Sequence, residues 1–193
     1  PPQEDRPRRA TRGEAGRRNW GRRDTGARRR KKPSRIAPLI RRQAPLSLFR
    51  FDAARRPANG WLGGCDEAGR GPWAGPVVAA AVVLKPRTAI PGLNDSKLIP
   101  EARRDAVYDL VLTAALAWGV GQAEVAEVDH WNIHRATFLA MRRAVSDMLE
   151  QMARRGRPAG LLLVDGRHTI PGVQLVQQAV IRGDRRSACV AAA

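Results

Sequence analysis

Apolar residues occur in short runs between Trp61 and the end of the chain, and each run stops at a turn or at an acid. The runs and alternating stretches predict five strands: Trp61 to about Glu67, 77–84, 115–125, 161–164 and 175–181. The fourth is wholly apolar, which is typical of a strand buried on both faces. Five strands in this part of the chain indicate a sheet at the centre of the domain.

Helical spacing of apolar residues separates these strands. Pro100 and Glu101 open a helix that runs to roughly Ala114, and a second helical pattern extends from Val128 to about Arg155. Residues 185–193 are typical of the first turns of another helix, and 47–54 of a short helix that docks the preceding segment. The sequence therefore predicts an α/β fold, a mixed sheet with helices packed on its faces.

Charge divides the chain into two parts. Residues 1–60 carry 19 Lys and Arg against 5 Asp and Glu, whereas the remainder carries 16 against 13, so most of the net charge of +17 lies in the first part. With few apolar residues, residues 1–60 are predicted to be a basic, largely disordered arm, followed by a folded domain over 61–193. Runs such as Arg28–Lys32 suit a polyanion, most simply nucleic acid, and a solvated tail without a specific partner is the alternative.

The remaining composition limits the class of protein. Cys65 and Cys189 form no disulfide framework and suit a reducing cytosol. No apolar stretch reaches the length of a membrane span, so we expect a cytoplasmic protein with no membrane partner. The chain begins with Pro1 rather than Met and stops inside the run Ala191–Ala193, so we expect a fragment of a longer protein.

Acids stand where the predicted strands end. Asp66 and Glu67 end the first strand, Asp165 ends the fourth, and Asp184 follows the fifth. Carboxylates at neighbouring strand ends repel one another unless they bind cations, and oxygen-only ligands favour hard ions such as Mg²⁺ or Mn²⁺. Two such ions can align an attacking water with the leaving oxygen of a phosphodiester. The alternatives are a turn-forming acid pair at Asp66 and Glu67, and a helix N-cap at Asp184.

Several motifs surround these acids in a fixed order. They are Asp66-Glu67-Ala68-Gly69-Arg70-Gly71-Pro72, Leu93-Asn94-Asp95-Ser96-Lys97, Asn132-Ile133, Leu163-Val164-Asp165-Gly166 and Gly183-Asp184. From about Leu62 to Ala193 the sequence resembles the ribonuclease HII family, the type 2 ribonucleases H. The resemblance implies a ribonuclease H-like sheet and a metal-dependent endonuclease. Such an enzyme cuts RNA in RNA–DNA hybrids and nicks duplex DNA at embedded ribonucleotides, leaving 3′-hydroxyl and 5′-phosphate ends.

The resemblance also implies a role for each matching residue. The catalytic and metal-binding acids would be Asp66, Glu67, Asp165 and Asp184. Gly69-Arg70-Gly71 match the turn that reads the ribose 2′-hydroxyl, the group that distinguishes RNA from DNA. Lys97 matches a lysine that holds a backbone phosphate. The implied cofactor is Mg²⁺ or Mn²⁺, the implied partners are RNA–DNA hybrid and ribonucleotide-containing duplex DNA, and we expect a monomer.

The chain departs from the family pattern near its end. The family continues beyond the position of Ala193 into a helical segment with a tyrosine that stacks at the RNA–DNA junction, and the single tyrosine here, Tyr108, does not match it. We therefore expect this chain to hold metal but to lack one wall of the substrate cleft. The alternatives are a non-catalytic nucleic-acid-binding fragment, in which the arm supplies the affinity, and another nuclease of the same fold.

Overall fold

A computed structural model describes residues 46–71, 75–157 and 159–193. Residues 1–45, which are predicted to be disordered, and Pro72 of the motif that begins at Asp66 lie outside these ranges. The strands are β1 (Trp61–Ala68), β2 (Val77–Leu84), β3 (Ala115–Ala123), β4 (Gly160–Asp165) and β5 (Val176–Val180). All five correspond to predicted strands, and the bounds of β2 are those that the sequence predicted.

The strands form one mixed sheet in the order β3-β2-β1-β4-β5. β2 runs antiparallel to both β1 and β3, whereas β4 runs parallel to β1 and β5 runs parallel to β4. The prediction of a mixed α/β sheet is therefore confirmed. Because β1, β4 and β5 are parallel, their carboxyl ends lie at one edge of the sheet, where ligands bind in open α/β sheets.

In the part of the chain that the structure describes, four helices accompany the sheet: α1 (Leu46–Ala53), α2 (Glu101–Ala114), α3 (Val125–Arg154) and α4 (Ala188–Ala191). α3 begins earlier than predicted because Glu124 and Glu127 form a capping box, in which each side chain accepts a hydrogen bond from the other's backbone N–H. α3 also contains a kink at Asn132 (φ 66°, ψ 161°), whose side-chain oxygen accepts bonds from the next turn. No helix in the described ranges is long and apolar enough to cross a membrane.

The sheet has a core on each face. Residues such as Cys65, Met148 and Leu162 pack between the sheet and α3, and residues such as Leu62, Leu163 and Val111 pack on the opposite face. α4 lies directly on β1, since a side chain at Gly64 would overlap the backbone of Cys189. The backbones of β1 and α4 are therefore in direct contact.

α1 belongs to the same packed body. Leu48 is fully buried in the core beside α4, and the buried Asp52 accepts a hydrogen bond from the Cys189 N–H through Oδ2 at 2.9 Å. This agrees with the prediction that a short helix docks onto the domain. The packed body therefore includes residues 46–53, ahead of the start near Trp61 that the sequence predicted.

Candidate active site

Asp66 and Asp165 occupy adjacent positions on neighbouring parallel strands. The register pairs Cys65 of β1 with Val164 of β4, so the residue after each comes next to the other, at the strand spacing of about 4.8 Å. Cys65 and Val164 point into the core under α3, so both acids point to the opposite face, where α4 lies. The structure thus places two of the predicted site residues side by side.

Asp184 reaches the same place from the end of β5. It lies in a 3₁₀ turn, Gly183–Arg185, and the Gly183 N–H donates to Asp165 Oδ1 at 2.6 Å. Asp184 also lines one open cavity together with Asp66, Glu67 and Ser96. The alternative that Asp184 caps the following helix is wrong, because the N-cap of α4 is Ser187, whose hydroxyl accepts from the Val190 N–H.

Glu67 points to the other face of β1. Its Oε1 pairs with Arg70 Nη1 at 2.9 Å, while its backbone N–H donates to Asp66 Oδ1 at 2.7 Å. The Glu67 side chain is only 15% exposed and lines two cavities, one with Asp66 and Asp184, the other with Asp165. Glu67 therefore lies between the three aspartates and the α3 side of the sheet, and a basic side chain holds it there.

The turn after β1 depends on glycine. Gly69 has a φ of 92°, and a Cβ atom there would lie 2.6 Å from the carbonyl oxygen of Pro76, so only glycine fits. Among the described residues, apart from its chain neighbours, no atom lies within 4 Å of where a Cβ at Gly71 would stand. Arg70 between them contacts Glu67 and remains half-exposed. This turn therefore presents accessible backbone beside the acids.

Burial and the crowding of carboxylates together control the electrostatics of the site. Burial, then the Asp165 charge, raise the pKa of Asp66 to about 7. The hydrogen bond from the Glu67 N–H lowers this pKa, whereas the charges of Glu67 and Asp184 raise it. Burial, followed by the charges of Asp95 and Asp165, also raises the pKa of Asp184. Within the described residues, Asp66 receives a hydrogen bond only from a backbone N–H and from no cationic side chain. The region around Asp66 therefore favours an added positive charge.

Cys65 takes no part in this chemistry. Its side chain is fully buried on the α3 side of β1, and burial raises the pKa of the thiol far above its usual value. A thiol that stays protonated is a poor nucleophile. Cys65 therefore serves as a small core residue.

The segment that carries Lys97 is attached to this region by a residue to which the sequence assigned no role. Asp95, 1% exposed, accepts hydrogen bonds from the Lys97 N–H through Oδ1 (2.9 Å) and from Arg185 Nε through Oδ2 (3.0 Å). Arg185 Nη2 forms an ion pair with the same Oδ2 at 2.9 Å. Burial raises the pKa of Asp95, but these hydrogen bonds outweigh it and bring the pKa below its usual value. An Asp at an N-cap position can be predicted from sequence, so the capping role of Asp95 was predictable. Its pairing with Arg185, 90 positions away, was not.

The donors suit a hard divalent cation, but they are not assembled around one. All four acids offer oxygen atoms, the ligands that Mg²⁺ and Mn²⁺ prefer. Within the described ranges no group of three or more His, Cys, Asp or Glu side chains is arranged to hold a metal ion. Two of the acids have other partners in this arrangement, since Glu67 pairs with Arg70 and one oxygen of Asp165 accepts from the Gly183 N–H.

With this geometry in view, comparison with known proteins settles the family. The family model for ribonuclease HII matches residues 63–193. This chain belongs to the ribonuclease HII family. The ribonuclease HII of Ralstonia nicotianae (strain ATCC BAA-1114 / GMI1000) is 46% identical over 151 residues, which cover 78% of this chain and 62% of that relative. The resemblance seen in the motifs is therefore confirmed, and the chain spans less than two thirds of this ribonuclease HII.

Solved structures support the fold of this ribonuclease HII chain. The ribonuclease H2 from Pyrococcus horikoshii OT3 superposes with a TM-score of 0.52 at 21% identity, covering 69% of this chain and 68% of the other. Bst-RNase HIII in complex with Mn²⁺ superposes with a TM-score of 0.56 at 16% identity, covering 69% and 49%. At these identities the likeness shows the fold alone, and the predicted ribonuclease H-like fold is confirmed.

Proposed function

We propose that this chain is the catalytic part of a metal-dependent endoribonuclease. It would hydrolyse RNA in RNA–DNA hybrids and nick duplex DNA at embedded ribonucleotides, leaving 3′-hydroxyl and 5′-phosphate ends. The observation that carries the proposal is the pairing of Asp66 with Asp165 at the carboxyl ends of β1 and β4, with Asp184 beside them. Membership of the ribonuclease HII family supports it.

The acids would hold Mg²⁺ or Mn²⁺, and the Mn²⁺ complex of Bst-RNase HIII supports this choice of ion. The ligands would be Asp66, Glu67, Asp165 and Asp184. When bound, such ions activate a water molecule and stabilise the leaving oxygen of a phosphodiester. Glu67 would release Arg70 as it turns towards the aspartates, and the guanidinium would become available to substrate.

The Gly69-Arg70-Gly71 turn would recognise the ribose. The open backbone around Gly71 can approach a sugar closely, and the 2′-hydroxyl is the group that separates RNA from DNA. Lys97, exposed in the 3₁₀ turn Ser96–Leu98, would hold a backbone phosphate. The basic residues of 1–45 would add affinity without sequence preference, so their deletion should flatten the dependence of hybrid binding on salt.

A second candidate function is nucleic-acid binding without catalysis, in which this chain binds hybrid but does not cut it. The observation that favours it is length, since the match covers only 62% of the Ralstonia nicotianae relative. Catalysis depends on positioning, and a cleft that lacks one wall loses much of its rate. The two candidates differ in cutting, not in binding.

Cutting assays on two chains separate these candidates. A chain extended to the full length of its relatives should nick duplex DNA containing one ribonucleotide when Mg²⁺ or Mn²⁺ is supplied, and the present chain should cut poorly. Asp66→Asn should lower cutting by at least about a hundredfold and leave hybrid binding largely intact, because it removes charge from the acid cluster and not a phosphate contact. Asp105→Asn, an exposed acid on α2, is the matched control and should cut normally.

Two results would count against the proposal. Equal cutting of all-DNA duplex by the extended chain would contradict ribose recognition by Gly69-Arg70-Gly71. Absence of cutting on every hybrid, with hybrid binding retained, would favour the binding fragment instead.

A further inference from the structure

A continuous series of polar contacts joins the Lys97 segment to the acids. The Lys97 N–H donates to Asp95 Oδ1 at 2.9 Å. Asp95 Oδ2 accepts a hydrogen bond from Arg185 Nε at 3.0 Å and forms an ion pair with Arg185 Nη2 at 2.9 Å. Arg185 directly follows Asp184. Two residues before Arg185, the Gly183 N–H donates to Asp165. The Lys97 segment is thus connected to Asp165 and Asp184 through the carboxylate of Asp95.

The Asp95–Arg185 pair differs from the other ion pairs in the described part of the chain. There are four such pairs, and only this one contains a fully buried carboxylate, with side-chain exposures of 53% for Arg185 and 1% for Asp95. A buried carboxylate that loses its partner is costly, so Asp95 holds the guanidinium firmly in place. An exposed ion pair restrains its members far less.

The turn that carries Asp184 is held by backbone hydrogen bonds. The Arg185 N–H donates to the Arg182 carbonyl at 3.1 Å, and the Ser187 N–H donates to the Gly183 carbonyl at 2.8 Å. Both bonds span Asp184. Asp184 therefore lies in a short, backbone-bonded turn between Arg185, which pairs with Asp95, and the Gly183 N–H, which donates to Asp165.

We propose that Asp95 is a positioning residue that couples cation binding at the acids to the grip of Lys97 on a nucleic-acid phosphate. Asp95 acts through the Lys97 backbone and Arg185, and touches neither ion nor substrate. The inference rests on the proposed function of the site. Because coupling between two binding sites is reciprocal, bound hybrid tightens cation binding by the factor by which the cation tightens hybrid binding.

The test is a binding measurement that needs no turnover. The affinity of the present chain for a fluorescein-labelled RNA–DNA hybrid is measured without ion and with rising Ca²⁺, a hard oxygen-binding probe ion, and a gel confirms that the RNA strand stays intact. We expect saturating Ca²⁺ to strengthen hybrid binding by about tenfold, a typical size for coupling. In Asp95→Asn the gain should fall to about twofold or less, because the amide oxygen can still cap Lys97 but the charge that holds Arg185 is gone.

Two further variants serve as a replacement for Asp95→Asn and as a control. Arg185→Gln breaks the same pair from its half-exposed side, and it replaces Asp95→Asn if that variant does not fold by circular dichroism. Asp105→Asn changes an exposed acid on α2 and should keep the full tenfold gain. A purely structural role of the pair would lower the melting temperature of the variants but leave the ratio of hybrid affinities with and without Ca²⁺ unchanged.

The outcomes distinguish this inference from the function on which it rests. If the unaltered chain binds both ion and hybrid but independently, or if both variants of the pair retain the full gain, the inference is overturned while the proposed function stands. If the unaltered chain binds no hybrid, or no divalent ion, the proposed function fails and the inference fails with it. Loss of the gain in both pair variants, with the gain kept in Asp105→Asn, supports the coupling.

Discussion

Two aspartates near Asp184 have opposite surroundings. Asp66, at the end of β1, has carboxylates for neighbours and a backbone N–H as its hydrogen-bond donor, and its pKa rises to about 7. Asp95, in the loop after β2, has a guanidinium and the Lys97 N–H, and its pKa falls below its usual value. Within the described residues, Asp95 has a cationic partner and Asp66 has none. This difference supports the proposal that a cation binds at the end of β1.

The largest effect should come from supplying that cation. At pH 7.5, an ion concentration of one hundred times its Kd should stabilise the fold by about 2.7 kcal/mol, through binding to the native state alone. Thermal melting with and without Mg²⁺ or Mn²⁺ measures this gain. Asp66→Asn should lose most of it and Asp105→Asn should keep it, whereas an equal gain in both variants would show that the ion binds elsewhere.

A smaller effect is expected from removing the counter-charge that the chain does supply. Arg185→Ala should cost about 2 kcal/mol of unfolding free energy, less than a fully buried pair would lose, because the Arg185 side chain is 53% exposed. Urea unfolding gives the value. The matched control is Arg154→Ala, which breaks a pair exposed by 75% and 63% and should cost under about 0.5 kcal/mol. Equal costs would mean that Asp95 does not depend on Arg185.

Per pH unit, the pH dependence should show the smallest change in stability, and it should have opposite signs at the two aspartates. Without metal, the folded state keeps a proton on Asp66 between 3.8 and about 7 that the unfolded state has lost, so stability falls as pH rises through this window. The slope for one group is at most about 1.4 kcal/mol per pH unit. The stabilisation from Asp95 is present above 3.8 and is lost as pH falls further.

Urea unfolding in EDTA at several pH values tests these signs. Asp66→Asn should flatten the fall between pH 4 and 7, although Asp52 and Asp184, whose pKa values are also raised, leave part of it. Asp95→Asn should leave that fall in place and reduce the loss at lower pH. A fall that is unchanged in Asp66→Asn would mean that Asp66 ionises normally in the folded protein.

Local sequence patterns predicted most of the helices and strands, but few of the side-chain contacts between them. The bounds of β2 and α2 followed from an uncharged apolar run and from Pro100 before Glu101, which are signals within a few residues. The acids at the strand ends could be predicted for the same reason, because they stand at or shortly after the ends of the predicted strands. The contacts of Asp95 with Arg185 and of Asp52 with Cys189 join residues 90 and 137 positions apart, and no local pattern encodes such partners.

The pairing of Glu67 with Arg70 shows a different limit. The two residues are three positions apart, so their proximity was readable, but both had been assigned to other partners, an ion and a ribose. In the protein without ligands the opposite charges satisfy each other. Sequence motifs describe the groups that a bound state uses, whereas the free state pairs them in whatever way lowers the energy.

The contact of Gly64 with α4 has a consequence for how the acids can adapt to ions of different radius. No side chain separates β1 from α4, so the distance between the strand of Asp66 and the helix that follows Asp184 is set by touching backbone atoms. Backbone atoms in contact have no rotamers through which to shift, and cores of this kind resist compression. In the proposed metal site, adjustment to a larger or smaller ion is therefore expected of Glu67, the longest of the four acids, and its conformation should vary with ionic radius.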